Sequence, residues 1–263
     1  MSINWSAINS DSPLGRFLRF PLRILPKGTV MKIRRGPAQG MKWIVGSSNH
    51  GCWLGTYEME KQVALERFVK PGMSIYDIGA QAGFYTLFFS SLIGVGGKVY
   101  AFEPFAENVN YLVSHIRING LGNVQVIQVA LAEGTNIKGF ATNRGKSQNT
   151  FVDNSTALLL VPTLTIDEVI EKNRFIPPKL MKIDVEGSEI EVLQGARRTF
   201  ECYRPIIFVA LHGNEQKKAC QTFLEEVGYR IYDLAGNHLI GGSYSDEVYA
   251  LPDGDSKELS CHG

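Results

Sequence analysis

Three short runs of this chain carry residue types at spacings that can do chemistry. The run Tyr76-Asp77-Ile78-Gly79-Ala80-Gln81-Ala82-Gly83-Phe84-Tyr85-Thr86 sets two glycines four apart behind an acid. Such glycines let the backbone turn tightly and come close to a ligand. A dinucleotide fingerprint needs G-x-G-x-x-G, whereas only Gly79 and Gly83 are present and Asp77 puts an anion where a pyrophosphate would lie. S-adenosylmethionine has no phosphate and bears ammonium and sulfonium charges, so the acid favours it. The candidate contacts are Asp77, Gly79, Ala80, Gln81, Gly83, Phe84 and Thr86. Glu103 stands 24 residues after Gly79 in Phe102-Glu103-Pro104, where a strand-end carboxylate accepts two hydrogen bonds from a ribose diol. Pro104 beside it and Ala130 at the end of the next strand complete the candidate cofactor set.

The third run, Lys182-Ile183-Asp184-Val185-Glu186-Gly187-Ser188-Glu189, clusters acids at the end of an apolar strand. Asp184 costs stability there unless it has a partner or a task. Asp184 and Glu186 are therefore candidate catalytic residues, and His212, after another strand, is a candidate base with a tunable pKa. Glu189 reads as a complement to the dipole of the following helix. The carboxylates at 184 and 186 can also hold Mg²⁺, which takes one or two carboxylates and keeps several waters; the sequence leaves metal dependence undecided.

Elements must position these groups, and from Gly72 onward short β-branched runs alternate with helical stretches. That alternation predicts an α/β fold, a mainly parallel sheet with helices on both faces. Strands are expected at 73–78, 98–103, 124–130, 180–185, 205–211, 229–234 and 247–251, the last two as an antiparallel hairpin. Helices are expected at 83–93, 106–119, 166–172, 187–200 and 215–227. Upstream, 29–35 and 41–46 flank the turn Gly36-Pro37-Ala38-Gln39-Gly40 as an appended β-hairpin. The expected organisation is an extension over 1–71 with this hairpin and a lead-in helix, a cofactor domain over 72–252 and a polar tail over 253–263.

At 263 residues, 44% hydrophobic and 20% charged, the chain has the length for one large buried core, which excludes disorder, collagen and a small disulfide scaffold. The net charge of +1 gives no field for nucleic acid or an anionic membrane. Cys52, Cys202, Cys220 and Cys261 form no CxxC or Cys/His cluster, so free thiols are expected. The start of the chain lacks a cationic segment followed by an apolar one, and a cytoplasmic location is expected. The uncharged stretch from Ile78 to Gly97 contains five glycines and reads as a buried helix with its loop and not as a membrane span.

The runs DIGAQAGFYTL, VYAFEP and KIDVEGSEIEVLQGA together resemble the FkbM family of S-adenosylmethionine-dependent methyltransferases over about residues 53 to 251. The segment DVEG is its most family-specific part. Trp53-Leu54-Gly55-Thr56-Tyr57-Glu58 is similar to the family's W-x-G-x-Y-E element, and Thr163 to Asp167 to its T-x-T-L-D helix entry. Two departures stand out: Gln81 replaces the usual Asn, and Ala210 replaces the Glu of Glu-x-His before His212. The resemblance implies a Rossmann-like class I methyltransferase sheet of seven mostly parallel strands and methylation of a hydroxyl on a small metabolite or sugar. A non-catalytic cofactor-binding protein of the same fold and a NAD-dependent oxidoreductase are the alternatives. Methylation of exocyclic nitrogen in nucleic acids is disfavoured, because Val-Glu-Gly and not a Pro-Pro-Tyr turn follows Asp184. Residues 1–71 and 139–163 are expected to wall the acceptor site, with Phe17, Leu18, Phe20, Trp43 and Trp53 as apolar surface and Arg16, Arg19 and Arg23 as polar contacts.

Overall fold

Buried β-branched and aromatic runs pair into the sheets, and the chain order follows from where those runs fall. The computed structural model describes residues 25–142, 149–155, 157–241, 243 and 245–254. It opens with an antiparallel hairpin of β1 (Val30–Lys32) and β2 (Lys42–Ile44), then helices α1 (His50–Leu54) and α2 (Met59–Glu66). Next β3 (Ser74–Ile78), α3 (Phe84–Ile93), β4 (Lys98–Phe102), α4 (Ala106–Asn119) and β5 (Val124–Ile127) alternate as expected. After β6 (Ala130–Leu131), β7 (Asn136–Thr142), β8 (Asn149–Val152) and β9 (Leu159–Leu164) come α5 (Ile166–Asn173) and β10 (Leu180–Ile183). Helices α6 (Glu189–Gln194) and α7 (Arg197–Tyr203), β11 (Ile206–Ala210), α8 (Asn214–Glu226), β12 (Tyr229–Asp233) and β13 (Glu247–Pro252) finish the fold.

The main sheet has seven strands in the order β12-β13-β11-β10-β3-β4-β5. All pair in parallel except β13, which is antiparallel to both β11 and β12. The order reverses between β3 and β10, the switch point at which open α/β sheets bind ligands beyond the carboxyl ends of their strands. Side-chain alternation divides the core in two. Tyr76, Ile78, Met181, Ile183 and Val209 face α5 to α8, while Ile75, Leu180 and Phe208 face α3 and the hairpin with its helices.

Three expectations need correction. The strand expected over 124–130 is two, because a bond from Val129 N to Ile127 O turns the chain at Gln128 and sends β6 into a second, four-stranded sheet, β6-β9-β7-β8. The helix expected over 187–200 breaks after Gln194, where the chain passes so close to its neighbour that a Cβ on Gly195 would lie 2.1 Å from Ala132 O. There the Asp167 carboxylate accepts from Arg198 N and Thr199 N and caps α7. Cys52 and Cys220 are buried free thiols, but Cys202 is disulfide-bonded, a pairing that separation along the chain does not reveal.

His115 of α4 fastens the hairpin to the glycine loop. Its ring stacks on Trp43 with centroids 4.0 Å apart, Nε2 accepts from Ile44 N at 2.9 Å, and Nδ1 donates to Ala82 O at 2.8 Å. Both roles require the neutral ring, and burial pushes its pKa down to about 4 from 6.5. The unfolded chain therefore binds this proton at a higher pH than the folded one. The clamp contributes fully above pH 6.5 and is lost as pH falls towards 4, with a ceiling of about 3 kcal/mol. Unfolding of the protein and of His115→Gln, followed across this window, is expected to give a stability gap that narrows on acidification. A constant gap would rule out the neutral clamp.

Candidate functional site

Beneath the loop after β3 lies a set of buried charges contributed by both strands and helices. Asp77 and Lys182 are paired in register across β3 and β10, so their side chains share the face covered by α2 and α3. Lys182 Nζ lies 3.3 Å from Asp77 Oδ1 and 3.8 Å from Asp184 Oδ2 and donates to Gly79 O at 3.0 Å. Thr86 Oγ1 donates to Asp77 Oδ2 at 2.6 Å. Lys61, from α2, is also buried and lies 3.6 Å from Asp184 Oδ2, 3.1 Å from Glu58 Oε2 and 2.7 Å from Glu247 Oε1. The Tyr85 hydroxyl donates to Glu58 at 2.8 Å, and both ammonium groups sit over its ring.

These contacts fix the protonation states. Burial pushes the Lys61 ammonium down, but Asp184, Glu247 and Glu58 outweigh it and hold its pKa above the ordinary value. Burial likewise pushes Asp184 up, yet Lys182 and Lys61 prevail and keep it below the usual carboxylate range. Glu247 stands opposite Ala210 in the β11–β13 register, so a carboxylate reaches this network from the strand beside Ala210.

A cleft opens at the switch point, lined by Gly79, Gln81, Glu103, Pro104, Ala130 and Asp184 together with the apolar Ile78, Phe102, Val129 and Leu131. Gly79 has φ +73°, and a Cβ there would fall 1.9 Å from Asp184 O, so only glycine lets the loop lie against the end of β10. Gln81 also has a left-handed backbone, φ +49°. That conformation suits Asn better than Gln and costs about 1 kcal/mol. Its N–H donates to Glu103 Oε2 at 2.8 Å, while Glu103 Oε1 accepts from Phe105 N and Asn108 Nδ2. Burial raises the Glu103 pKa against these three bonds.

Beside the cleft, Asp184, Glu186 and His212 each place a donor atom within 4.8 Å of the others. Glu186, at φ +58°, brings Oε2 to 3.4 Å from His212 Nε2, and burial raises its pKa. His212 Nδ1 lies 2.7 Å from Glu189 Oε1. That hydrogen bond raises the imidazole to about 9, so in this arrangement the ring carries its proton at neutral pH and acts as a donor. Glu189 is fully buried and its Oε1 also accepts from Gly187 N. It is thus an internal acceptor, where its place in the sequence suggested a helix-dipole partner in solvent.

The structure gathers the candidate catalytic residues in one place and divides the cofactor candidates. Asp77, Ala80, Gly83, Phe84 and Thr86 support the cleft from behind; the others line it. Phe140 and Phe151, from the 139–163 region, form part of its wall. Trp43 and Trp53 are buried in the core around the hairpin, not in an acceptor wall. Arg16, Phe17, Leu18, Arg19, Phe20 and Arg23 lie outside the described residues. Sequence reasoning missed Lys61, Lys182, Tyr85 and Glu247 as parts of the site. The one usable signal was a lysine and two acids inside otherwise apolar strands.

Residues 77–231 match the model of the methyltransferase FkbM domain. A curated relative, the hexuronic acid methyltransferase AglP of Haloferax volcanii, is 24% identical over 152 residues, 58% of this chain and 61% of that protein. The match therefore spans less than two thirds of that relative. Among solved structures, the methyltransferase FkbM of Methylobacillus flagellatus KT aligns with TM-score 0.49 and 22% identity over 68% of this chain and 43% of its own. The fibrillarin of Aeropyrum pernix, solved with S-adenosyl-L-methionine, aligns with TM-score 0.46 and 16% identity over 87% of this chain and 100% of its own.

Removing one member of a buried charge set strands the others, a loss of about 3–5 kcal/mol. Lys61→Met is therefore expected to lower stability on that scale in urea unfolding. Lys172→Met, which breaks the exposed pair with Glu168 on α5, should leave stability almost unchanged. Equal effects of the two substitutions would show that the Lys61 network has no special part in stability.

Proposed function

Because the chain belongs to the FkbM methyltransferase family, we propose that it transfers a methyl group from S-adenosylmethionine to an oxygen of a sugar or a similar small molecule. The observation that carries this reading is the cleft at the switch point, where Gly79, Glu103 and Asp184 converge from the ends of three neighbouring strands. Its residues fit the cofactor. The apolar Ile78, Phe102, Val129 and Leu131 offer surface for an adenosine, and the Glu103 carboxylate reaches the cleft as an acceptor for ribose hydroxyls.

When bound, the cofactor supplies a sulfonium methyl whose carbon–sulfur bond breaks, leaving its electron pair on sulfur, as the acceptor oxygen bonds to carbon. The protein supplies position and charge. Asp184, held ionised by Lys182 and Lys61, presents a fixed anion to a cationic group. Glu186, with its pKa raised by burial, is the carboxylate better suited to take the acceptor's proton. Lys61 and its partners Glu58 and Glu247 also line a second, open groove, together with Arg67. The sugar class is supported by the name of the relative from Haloferax volcanii, a hexuronic acid methyltransferase.

Glu103→Ala removes an acceptor worth about 1.5–3 kcal/mol per hydrogen bond, so calorimetry is expected to show at least a tenfold loss of S-adenosylmethionine affinity. Glu186→Gln should bind the cofactor while turnover falls roughly a hundredfold. Both are to be read with methyl-labelled cofactor on a panel of sugars and uronic acids. Unchanged affinity in Glu103→Ala, or NAD binding in preference, would overturn the cofactor assignment, and label appearing only on non-sugar acceptors would overturn the substrate class.

A further inference from the structure

The geometry points to a divalent metal site formed by Asp184, Glu186 and His212, suited to an ion of the Mn²⁺ type. Metal–ligand distances of about 2.0–2.6 Å place two ligands of one ion at most about 5 Å apart, and the three donor atoms here all lie within 4.8 Å of one another. They come from two adjacent strand ends, β10 and β11, so the sheet fixes their spacing. Both lysine contacts of Asp184 run to Oδ2, which leaves Oδ1 outside those ion pairs.

A separate observation concerns the side chain behind the histidine. Glu189 is fully buried, its Oε1 lies 2.7 Å from His212 Nδ1, and its Oε2 has no hydrogen-bond partner among the described residues. A carboxylate that receives the far N–H of an imidazole orients the ring and makes its other nitrogen a better ligand. Here that other nitrogen is Nε2, which faces Glu186, and a bound cation takes the place of the proton that Nε2 otherwise carries. Carboxylates also outnumber cationic groups around the cluster, since Asp77, Asp184, Glu186, Glu189, Glu58 and Glu247 stand against Lys61, Lys182 and the His212 imidazolium. A further cation would offset that excess. One imidazole with two carboxylates is a mixed set, softer than the all-oxygen shells of Mg²⁺ and Ca²⁺ and harder than thiolate sites. With three protein ligands, the remaining positions are open to oxygen atoms of an acceptor beside the cleft; an ion bound here engages the Glu186 carboxylate, so the proton-accepting role of Glu186 belongs to the metal-free site.

Mn²⁺ titrated into the full-length protein and followed by electron paramagnetic resonance is expected to show one bound equivalent. His212→Ala and Glu186→Gln should each weaken it at least tenfold, and Glu189→Gln, which touches no metal, by about 10–100-fold. Glu168→Gln, an acid on α5 remote from the cluster, should bind as the parent does. Circular dichroism identifies any variant that fails to fold, and Glu186→Gln, at a partly exposed turn, keeps the test open if His212→Ala does. Absence of bound Mn²⁺ at millimolar concentration, or parental affinity in folded Glu186→Gln, would overturn the site. The readout is bound metal and not methyl transfer, so either reading can fail without the other.

Discussion

The Lys182 ammonium, held between Asp77 and Asp184 and bonded to the Gly79 carbonyl, is the interaction on which the rest of the structure depends. It joins the ends of the two central strands, the loop between β3 and α3, and the first residue beyond β10. A charge buried this deeply is tolerated only with partners close at hand. The loop conformation and the position of Asp184 are therefore coupled, and Gly79 is the residue whose lack of a side chain lets them meet. Lys61 extends the same logic outward by tying α2 and β13 to Asp184 through Glu58 and Glu247.

The glycine loop is held from its other side by a neutral group. His115 bonds Ala82 within the loop and Ile44 in the hairpin, and Trp43 and Val45 share a core with Phe84, Phe88 and Phe89 of α3. Residues before and after position 71 thus enclose one apolar cluster. The loop is pinned by charge below and by a desolvated imidazole beside it, which is the kind of preorganisation a binding cleft requires.

The second sheet has a comparable anchoring point in Thr163 to Asp167. Thr163 Oγ1 bonds the turn before β7, Thr165 caps α5 by accepting from Glu168 N, and Asp167 caps α7. One short motif therefore joins the inserted sheet, the helix that follows it and the helix pair after β10. Through β6 and the two phenylalanines of β7 and β8, the same insertion forms one wall of the cleft.

The α/β class, the seven main-sheet strands, their carboxyl-end cleft and the acids at 103, 184 and 186 were legible in the sequence. All of these depend on local periodicity and on turn residues, which act over a few positions. The break at Gly195 and the four-stranded sheet were not, because each is decided by contacts with distant backbone such as Ala132 and β9. The burial of Lys61, the cross-strand approach of Glu247 and the change of Glu189 from a helix-end acid to the partner of His212 also needed the tertiary structure. Sequence reveals where a charge sits along an element. Only the packing of elements far apart in the chain decides whether that charge meets water or a counter-ion, and so what chemistry it can do.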